Sequence, residues 1–352
     1  MQIGLSLTSK RVYTYDRKHI ELAMVLRENH IMADIVTLGE LLIDLTEKGK
    51  DENGNSKFIA YPGGAPANVA VAASRLGAKT KFIGKVGNDA FGHFLTGVIK
   101  EQDVDVSGLY QTDEQHTTMA IVTINEEGDR EFSFYRSPGA DTQLTSDEAV
   151  IALDTDEKPA IIHVGSLSLT DQPARTACYD AVKFARDNGI IVSYDPNYRK
   201  ALWGSEEEAV QMMKSLLPYA DILKVADEEM LLLTGTDDID EAAKILQDQG
   251  VKLVIITLGG DGVYVRYGDI AERIPGVKTT VVDTNGAGDT FLGAMLAKLA
   301  FRKYEDRPDE SILDGITEEE LRGYVMYANR AAALTCSRPG AIPAMPTAGE
   351  LG

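Results

Sequence analysis

The sequence predicts an α/β fold in which helices cover both faces of a largely parallel sheet. Three observations lead to this prediction: short apolar runs of strand length, helical patterns between them, and β-prone stretches that interrupt the alternation. The chain has 352 residues, of which 44% are hydrophobic, and this is enough for a sizeable core. We therefore expect one α/β body with a small inserted β-sheet that forms a lid.

The strands of the main sheet are predicted from apolar runs that are short enough to cross a buried sheet. These runs are Ile35–Leu45, Lys81–Val86, Ala160–Val164, Ile190–Tyr194, Ile222–Val225 and Leu253–Thr257. A further strand, Thr279–Asp283, is predicted directly before a glycine-rich stretch. Because helical patterns separate these runs, the strands are expected to be mostly parallel.

The crossover helices are predicted from apolar residues at helical spacing. The predicted helices are Pro66–Leu76, Ala174–Asn188, Ser205–Leu217, Asp240–Gln249 and Thr290–Leu299. Ser205 followed by Glu208 has the pattern of a capping box. Pro66 suits a first helical turn, and Gly77 suits the end of that helix.

Two stretches break the alternation and predict antiparallel hairpins. Lys48–Tyr61 carries Asp-Glu-Asn-Gly-Asn, which is a turn signal between two possible strands. The second stretch contains the β-prone runs Thr117–Ile124 and Arg130–Tyr135, joined by Asn125–Gly128. We expect these hairpins to form a lid over about residues 46–62 and 106–140.

Charge and cysteine content limit the possible partners and the cellular compartment. A net charge of −20 argues against nucleic acid and anionic membranes as partners. The two cysteines, Cys178 and Cys336, lack metal-binding spacing and suit reduced cytoplasmic thiols. Residues 1–33 lack the apolar region of a signal peptide. We expect them to be an extension outside a core domain at 34–348, the alternative being an ordinary N-terminal helix.

A glycine-rich stretch, DTNGAGDTFLG at Asp283–Gly293, lies between a predicted strand and a predicted helix. The first amides of a helix lack helical partners and carry partial positive charge. The amides of Gly286, Ala287 and Gly288 could therefore bind a phosphate or the charge that develops on one. Asp289 could accept a proton from an attacking hydroxyl. The alternative is a tight turn whose Asp only caps the helix.

Two other glycine-rich stretches suggest ligand contacts. Tyr61–Asn68 places glycines ahead of a helix, and Asn68 in the first turn has a side chain suited to sugar hydroxyls. The backbone of Thr257–Val263 could hold a nucleotide phosphate through Thr257 or Gly259. The alternatives are a surface turn in the first case and a hairpin turn in the second.

Together these motifs closely resemble the ribokinase-type, or phosphofructokinase-B, carbohydrate kinases over about residues 33–348. Gly63–Gly92 and Asp283–Gly293 match the two signature regions of that family. Within the family, the chain looks most like the fructokinases. This likeness is carried by Gly39–Asp44, Phe134–Asp141, Asp195–Arg199, Leu202-Trp203 and Gly340–Thr347. The resemblance implies a ribokinase-like fold and ATP-dependent phosphorylation of the 6-hydroxyl of D-fructose.

The resemblance also implies roles for the matched residues. Asp289 would be the catalytic base, and Gly286, Ala287 and Gly288 would form the anion hole. The sugar would be bound by Asp44, Gly63, Gly64, Asn68, Arg136 and Arg199. The nucleotide would be bound by Asn197, Lys224, Thr257, Gly259, Gly262 and Asn329. Glu229 would organise Mg²⁺ through water, and Asp283 and Asn285 would match a monovalent-cation site, usually for K⁺.

The chain departs from the family pattern at two places. The Asn-x-x-Glu motif expected at Glu229 begins with Ala226, so the metal shell would rely on Glu229 and water, or on Lys224 near the phosphates. Asn285 stands where Thr is common, and this puts the cation site in doubt.

The same sequence also suggests alternative functions and a homodimeric assembly. Arg136 and Arg199 could both face the carboxylate of a sugar acid, which would suit a 2-keto-3-deoxygluconate kinase. The missing Asn at position 226 would suit a sugar-binding regulator without catalysis. A dinucleotide-dependent oxidoreductase is disfavoured because Phe291 breaks the GxGxxG pattern. The strand edges of the lid need cover, and this favours a homodimer through the lid.

Overall fold

The computed structural model describes residues 33–124, 130–305 and 311–351. Residues 1–32 of the expected extension and the expected loop at Asn125–Gly128 therefore lie outside the described residues. Within the described ranges, no helix has both the length and the apolar character that crossing a bilayer requires.

The described strands are numbered here in chain order. They are β1 (Ile35–Leu38), β2 (Leu42–Lys50), β3 (Ser56–Gly63), β4 (Thr80–Gly87), β5 (Val104–Thr112), β6 (Met119–Ile124), β7 (Arg130–Tyr135), β8 (Ile161–Gly165), β9 (Ile191–Asp195), β10 (Ile222–Ala226), β11 (Leu253–Thr257), β12 (Val263–Tyr267) and β13 (Ile270–Ile274). Leu253–Thr257 has the predicted bounds, and four other predicted core strands differ from the observed ones by one residue at one or both ends.

The α-helices of the described residues are numbered in the same way. They are α1 (Ala65–Arg75), α2 (Ala90–Lys100), α3 (Ser146–Leu153), α4 (Ala174–Asp187), α5 (Glu206–Leu216), α6 (Asp227–Thr234), α7 (Ile239–Asp248), α8 (Ala287–Phe301), α9 (Glu318–Cys336) and α10 (Ala348–Leu351). Ser205 caps α5 by accepting a hydrogen bond from the amide of Glu208 at 3.1 Å, and Pro66 stands in the first turn of α1.

The main sheet has nine strands in the order β13-β12-β11-β10-β9-β8-β1-β4-β5. The strands from β11 to β5 in this order pair in parallel, whereas β12 and β13 are antiparallel and form one edge. The carboxyl ends of the parallel strands therefore meet along one border of the sheet. Ligands of open α/β sheets bind at this border, where neighbouring connections diverge to opposite sides.

A separate sheet of four strands, in the order β3-β2-β6-β7, forms the lid predicted from the sequence. Its two hairpins are antiparallel as expected, but β2 and β6 join them in parallel. We expected the second lid segment to begin near residue 106. Instead, β5 pairs with β4 and extends the main sheet, so the lid strands after it begin at β6.

One predicted strand, Ile35–Leu45, is divided between the two sheets. The chain leaves the main sheet after β1 and enters the lid at β2. The break falls at Gly39, where a Cβ atom would lie 2.5 Å from Cγ of Pro66. Close packing of α1 against this point separates the two strands, and a continuous apolar run in the sequence gives no sign of it.

The predicted strand Thr279–Asp283 was wrong, because this segment is irregular. The side chains of Val281 and Val282 are exposed, and no strand lies beside them in the described residues. The segment is held instead by its backbone, since the amides of Val282 and Asp283 both donate to the carbonyl of Cys336. β-branched residues favour a strand only where a partner strand and a covered face exist.

Helices α1 and α8 cross on one face of the main sheet, while α4 and α5 pack on the other. Small residues allow the close crossing, because a Cβ atom on Gly293 of α8 would lie 2.6 Å from Cβ of Ala72 in α1. The N-terminal ends of α1 and α8 are therefore held near each other, although the two helices are far apart in sequence. Both ends carry glycine-rich motifs.

Candidate active site

The centre of the candidate site is a contact between the first turns of α1 and α8. Nδ2 of Asn68 donates to Oδ2 of Asp289 at 2.8 Å. Oδ1 of Asn68 is buried and has no hydrogen-bond partner among the described residues. The predicted base and a predicted sugar ligand are thus brought together, and an acceptor atom beside them is left for a ligand hydroxyl.

Asp44 on β2 brings a second carboxylate from the lid to this centre. Burial raises the pKa of Asp44 to about 6, while Arg199 lowers it and Asp289 raises it further. The three groups are therefore within electrostatic reach of one another. Gly63 leaves room for this carboxylate, because a Cβ there would lie 2.3 Å from Oδ2 of Asp44.

The turn that begins α1 requires a glycine at position 64. Gly64 has φ of 109°, and a Cβ atom there would lie 2.4 Å from the carbonyl oxygen of Glu40. Any side chain would clash with this backbone atom and would strain the backbone as well. The turn therefore follows the backbone of residues 40–41 closely, and this sets where Asn68 stands.

The glycine-rich stretch before Asp289 forms the N-terminus of α8. Gly286 is its N-cap in a left-handed conformation, with φ of 71°, and a Cβ there would lie 2.8 Å from Cβ of Ala341. Ala287 and Gly288 follow in the first turn. The amide of Ala287 donates weakly to the carbonyl of Thr284 at 3.3 Å, and the amide of Gly288 has no acceptor within the helix, so this end can bind an anion.

A buried lysine lies beside these amides. A Cβ atom on Gly288 would lie 3.1 Å from Nζ of Lys224. Nζ also forms a buried ion pair with Oδ2 of Asp195 at 2.8 Å. Burial alone would lower the pKa of Lys224, but Asp195 and Glu229 raise it above its ordinary value. The ammonium therefore stays charged next to the anion site. Asn197, in a left-handed conformation with φ of 48°, donates its amide to Oδ1 of Asp195 at 3.1 Å.

Glu229 lies at the start of α6, where Ala226 provides no capping side chain. Its two carboxylate oxygens accept from the amide of Tyr198 at 2.6 Å and from the amide of Ala226 at 2.8 Å. Burial and nearby Asp195 raise its pKa, and Lys224 opposes this. No set of three or more acidic, His or Cys side chains in the described ranges could hold a metal ion directly. A carboxylate with lone pairs left for water suits an indirect role toward Mg²⁺, which keeps much of its hydration shell.

The predicted cation-site residues connect two loops. Oδ1 of Asp283 accepts from the amide of Asn285 at 3.0 Å, and its Oδ2 accepts from the amide of Gly340 at 3.0 Å. The segment before α8 is thereby fixed to the loop after α9. This contact supports the shape of the anion site, because Gly286 packs against the same C-terminal loop.

The predicted nucleotide residues lie along the carboxyl ends of β10 and β11. Thr257 ends β11 directly beside Ala226 at the end of β10, and its Oγ1 donates to the carbonyl of Val225 at 3.3 Å. Gly259 and Gly262 form the hairpin turn between β11 and β12, so the hairpin interpretation of this stretch describes its local structure. Thr257 therefore lies beside the end of the strand that carries Lys224.

Asn329 on α9 lies next to this hairpin. Its Nδ2 donates to the carbonyl of Pro275 at 3.1 Å, and a Cβ atom on Gly262 would lie 2.6 Å from the carbonyl carbon of the same proline. The sequence-predicted nucleotide residues are therefore continuous in space from Asn329 through the hairpin to β10.

A comparison with known families decides what kind of site this is. Residues 32–348 match the family described as pfkB family carbohydrate kinase. The chain belongs to the pfkB family. It is thus a carbohydrate kinase with a ribokinase-like fold, and the resemblance predicted from the sequence is confirmed.

Individual relatives in the pfkB family are similar to this chain over most of its length. The protein described as probable fructokinase-2 of Arabidopsis thaliana is 42% identical over 316 residues, covering 89% of this chain and 93% of that protein. The crystal structure of a fructokinase from Xylella fastidiosa with bound ATP has a TM-score of 0.80 and 31% identity, covering 91% of this chain and 97% of its own. A fructokinase double mutant from Vibrio cholerae O395, bound to fructose, ADP and potassium ion, has a TM-score of 0.79 and 30% identity, with coverages of 92% and 98%.

One predicted sugar ligand of this pfkB kinase, Arg136, is not brought to the centre. Its Nε donates to Oδ2 of Asp141 at 2.7 Å, its NH1 donates to Oγ1 of Thr170 at 2.6 Å, and its NH2 donates to the carbonyl of Leu167 at 2.9 Å. The guanidinium is buried and mostly used by these contacts. The expectation that it faces the carboxylate of a sugar acid has no support in this geometry.

Sequence reasoning missed Asp195 as a member of the pfkB site. It ends β9 at the ligand-binding border and holds Lys224 in place. The available signal was an acidic residue directly after an apolar run, within the stretch Asp195–Arg199 that carried part of the family resemblance. A buried acid that pairs with a lysine on the next strand can be recognised only when the strand order is known.

We expect Arg199→Gln to move the acid limb of the kcat/KM profile for sugar to higher pH. Arg199 lowers the pKa of both Asp44 and Asp289, and a base must be deprotonated to act. Without the guanidinium, both carboxyls keep their protons to higher pH. The measurement is a pH profile of kcat/KM, and the control is Arg322→Gln, which alters a half-exposed arginine that pairs with Glu272 and Glu318. An unmoved limb would exclude this electrostatic role.

Proposed function

We propose that the protein transfers the γ-phosphoryl group of ATP to the 6-hydroxyl of D-fructose. The observation that carries this proposal is the position of Asp289. Its carboxylate is held by Asn68, faces Asp44 and Arg199 electrostatically, and stands at the helix end whose amides adjoin Lys224. A base, an anion site and polar groups for a sugar thus meet at the carboxyl border of the sheet.

Asp289 acts as the base in the proposed reaction. Burial raises its pKa, while Asn68, Lys224 and Arg199 lower it. The net effect makes the carboxylate a better proton acceptor than a carboxylate in water, and the three partners limit this rise. The hydroxyl loses its proton to this group as its oxygen attacks the γ-phosphorus.

The transferred phosphoryl group is stabilised by the start of α8 and by Lys224. The N-terminal end of α8, at Ala287 and Gly288, directs its partial positive charge to the place where negative charge develops, and the ammonium of Lys224 adds a full charge there. Mg²⁺ would neutralise charge on the phosphates of the nucleotide when bound, with Glu229 holding one of its waters. When the closed site excludes water, the attraction between these positive groups and the phosphoryl oxygens becomes stronger.

The sugar is held on one side by the body and on the other by the lid. Asn68 offers a buried unpartnered oxygen within the described site, and Asp44 offers acceptor oxygens from β2. These groups suit a polyol, whose hydroxyls need acceptors and donors at several positions. We propose that closure of the lid over the sugar excludes water and limits ATP hydrolysis.

Fructose is preferred over a keto-sugar acid because two of the three cations considered for the site are engaged by other groups, and the third, Arg199, lies in the field of Asp44 and Asp289. Arg136 is engaged at the base of the lid, and Lys224 is paired with Asp195. Fructokinases bound to ATP, or to fructose, ADP and potassium ion, share the fold. The proposal includes K⁺ at the loop of Asp283 and Asn285, where two chain segments are joined.

The test is a coupled assay of ADP release with fructose, glucose, ribose and 2-keto-3-deoxygluconate, each with and without K⁺. The expected result is the highest kcat/KM on fructose, with product phosphorylated at the 6-position. A higher kcat/KM on the keto acid would replace the substrate. Sugar binding without turnover on any substrate would support the regulator instead.

We propose that the protein is a homodimer that associates through the lids. Both edge strands of the four-stranded sheet carry exposed apolar side chains: Phe58 is 44% exposed, Ile59 is 45% exposed and Tyr135 is 60% exposed. Uncovered strand edges with apolar groups favour association with a second copy.

We also propose a cytoplasmic location for the protein, because both described cysteines are free thiols.

We expect Ile59→Asp to convert the dimer into a monomer, because it places a charge in an apolar contact. The measurement is sedimentation equilibrium at micromolar concentration. Leu231→Asp on α6, which replaces another exposed apolar residue far from the lid in sequence, is the matched control and should leave the dimer intact. A wild-type chain that sediments as a monomer, or a variant that stays dimeric, would refute association through the lid.

A further inference from the structure

The lid is joined to the body by chain crossings that lie close together. We call them the hinge, and define it as residues 39–41 before β2, residues 63–65 after β3, residues 113–118 before β6 and residues 136–141 after β7. A buried carboxyl group that the proposed reaction does not use, that of Glu40, stands in this hinge. Its residue is 3% exposed.

Glu40 holds the turn that carries the sugar-binding glycines. Its Oε1 accepts a hydrogen bond from the amide of Ala65 at 2.9 Å, and its carbonyl oxygen lies where a Cβ atom on Gly64 would come within 2.4 Å of it. Gly64 is the N-cap of α1 and has no side chain to cap the helix. Glu40 therefore provides, from 25 residues earlier in the chain, an acceptor for the first amide of α1, which has no partner within the helix.

The carboxyl group of Glu40 also lies in the electrostatic field of a buried ion pair in the hinge. Arg136 and Asp141 form an ion pair at 2.7 Å, and Thr118 donates its hydroxyl to the other oxygen of Asp141. Burial raises the pKa of Glu40 to about 7, with Asp141 raising it and Arg136 lowering it. Two sets of buried polar contacts, one at each pair of crossings, thus lie within electrostatic reach of each other.

The turn capped by Glu40 leads directly to the catalytic carboxylate. The amide of Asn68 donates to the carbonyl of Gly64 at 2.9 Å, and Nδ2 of Asn68 donates to Asp289 at 2.8 Å. A continuous set of hydrogen bonds therefore runs from Glu40 through the first turn of α1 to the proposed base. Oε2 of Glu40 has no partner among the described residues, so Oε1 is the oxygen that carries this connection.

We infer that Glu40 is a positioning residue for the proposed reaction: it fixes the first turn of α1, and through Asn68 it fixes the carboxylate of Asp289. The inference rests on the proposed function. It assigns Glu40 no contact with sugar or nucleotide. Small displacements of a reacting group lower the rate strongly, so loss of this cap should be visible in turnover as well as in stability.

The test is a double-mutant cycle between Glu40 and Asn68, measured as kcat/KM for the sugar. Glu40→Leu should lower kcat/KM by about tenfold to a hundredfold in the wild-type background. It should lower kcat/KM by less than about threefold in an Asn68→Ala background, because the connection is already broken there. An equal loss in both backgrounds would show that Glu40 acts without Asn68 and would overturn the inference.

Two further variants separate positioning from general stability. Asp34→Asn alters another buried carboxyl that accepts a backbone amide, that of Lys79 at 2.9 Å, at the opposite border of the sheet, and kcat/KM should stay unchanged. Ala65→Pro removes the N–H that Glu40 accepts and adds a proline ring at a buried helix position, the first, that suits proline. Ala65→Pro should lower kcat/KM as Glu40→Leu does, and again only when Asn68 is present. If Glu40→Leu does not fold, Ala65→Pro takes its place in the cycle. Full activity of a folded Ala65→Pro variant would overturn the inference.

Failure of the inference is distinguishable from failure of the proposed function. If the wild-type chain does not phosphorylate fructose, the proposed substrate is wrong, and the same cycle is measured on the sugar that it does phosphorylate. If the wild type is active on fructose and the cycle is additive, the proposed function holds and Glu40 has no positioning role.

Discussion

Asp289→Asn should lower kcat for fructose by about 10²-fold to 10⁴-fold while the dissociation constant for fructose changes by less than about threefold. The amide has the shape of the carboxylate, and its oxygen can still accept from Nδ2 of Asn68. It cannot take a proton from the attacking hydroxyl. Binding therefore survives while turnover is lost, and this separation distinguishes a base from a residue that only supports the fold.

The measurement pairs steady-state kinetics with calorimetric binding of fructose. Asp227→Asn is a matched control, because Asp227 is also an acidic residue in the first turn of a helix, α6, and it should keep both values. Turnover close to wild type in Asp289→Asn would remove Asp289 from the mechanism, together with the proposed chemistry. Equal losses of binding and turnover would assign it to sugar binding alone.

Lys224→Gln should lower kcat by about 10²-fold to 10³-fold, the range found when one donor to a developing anion is removed. The ammonium adjoins the amide end of α8, so its loss removes a full positive charge from the place where the phosphoryl group is transferred. The same change leaves Asp195 buried and unpaired. We expect the free energy of unfolding to fall by about 3–5 kcal/mol, as for other broken buried pairs.

A second substitution separates these two effects. In the double variant Lys224→Gln with Asp195→Asn, the buried charge that Lys224 had paired at 2.8 Å is also removed, so the free energy of unfolding should recover in part. The rate should stay low, since the cation is still absent. Urea unfolding and kcat are measured on the single and double variants. Recovery of kcat in the double variant would mean that Lys224 acts only through the fold.

Much of the fold could be predicted because its signals are local. The parallel strands are continuous apolar runs, and the helix starts at Pro66 and Ser205 follow from backbone chemistry that neighbouring residues supply. The glycine-rich stretch before Asp289 was predicted as a helix start for the same reason, and it is one. The lid was predicted from a turn signal and two β-prone runs.

The errors arose where distant parts of the chain decide the structure. Thr279–Asp283 has strand composition, but the described structure offers it no partner strand. Ile35–Leu45 breaks at Gly39 because α1 packs there. The pairing of Lys224 with Asp195 depends on the order of strands in the sheet. The use of Arg136 inside the hinge depends on contacts with Asp141, which no periodicity in the sequence indicates.

The hydrogen bond between Asn68 and Asp289 joins residues 221 positions apart. During synthesis the ribosome therefore releases the first turn of α1 long before it has made Asp289, and the two residues of this hydrogen bond cannot meet until α8 has emerged and docked. An intermediate that lacks this docking lacks the contact on which the proposed centre is built.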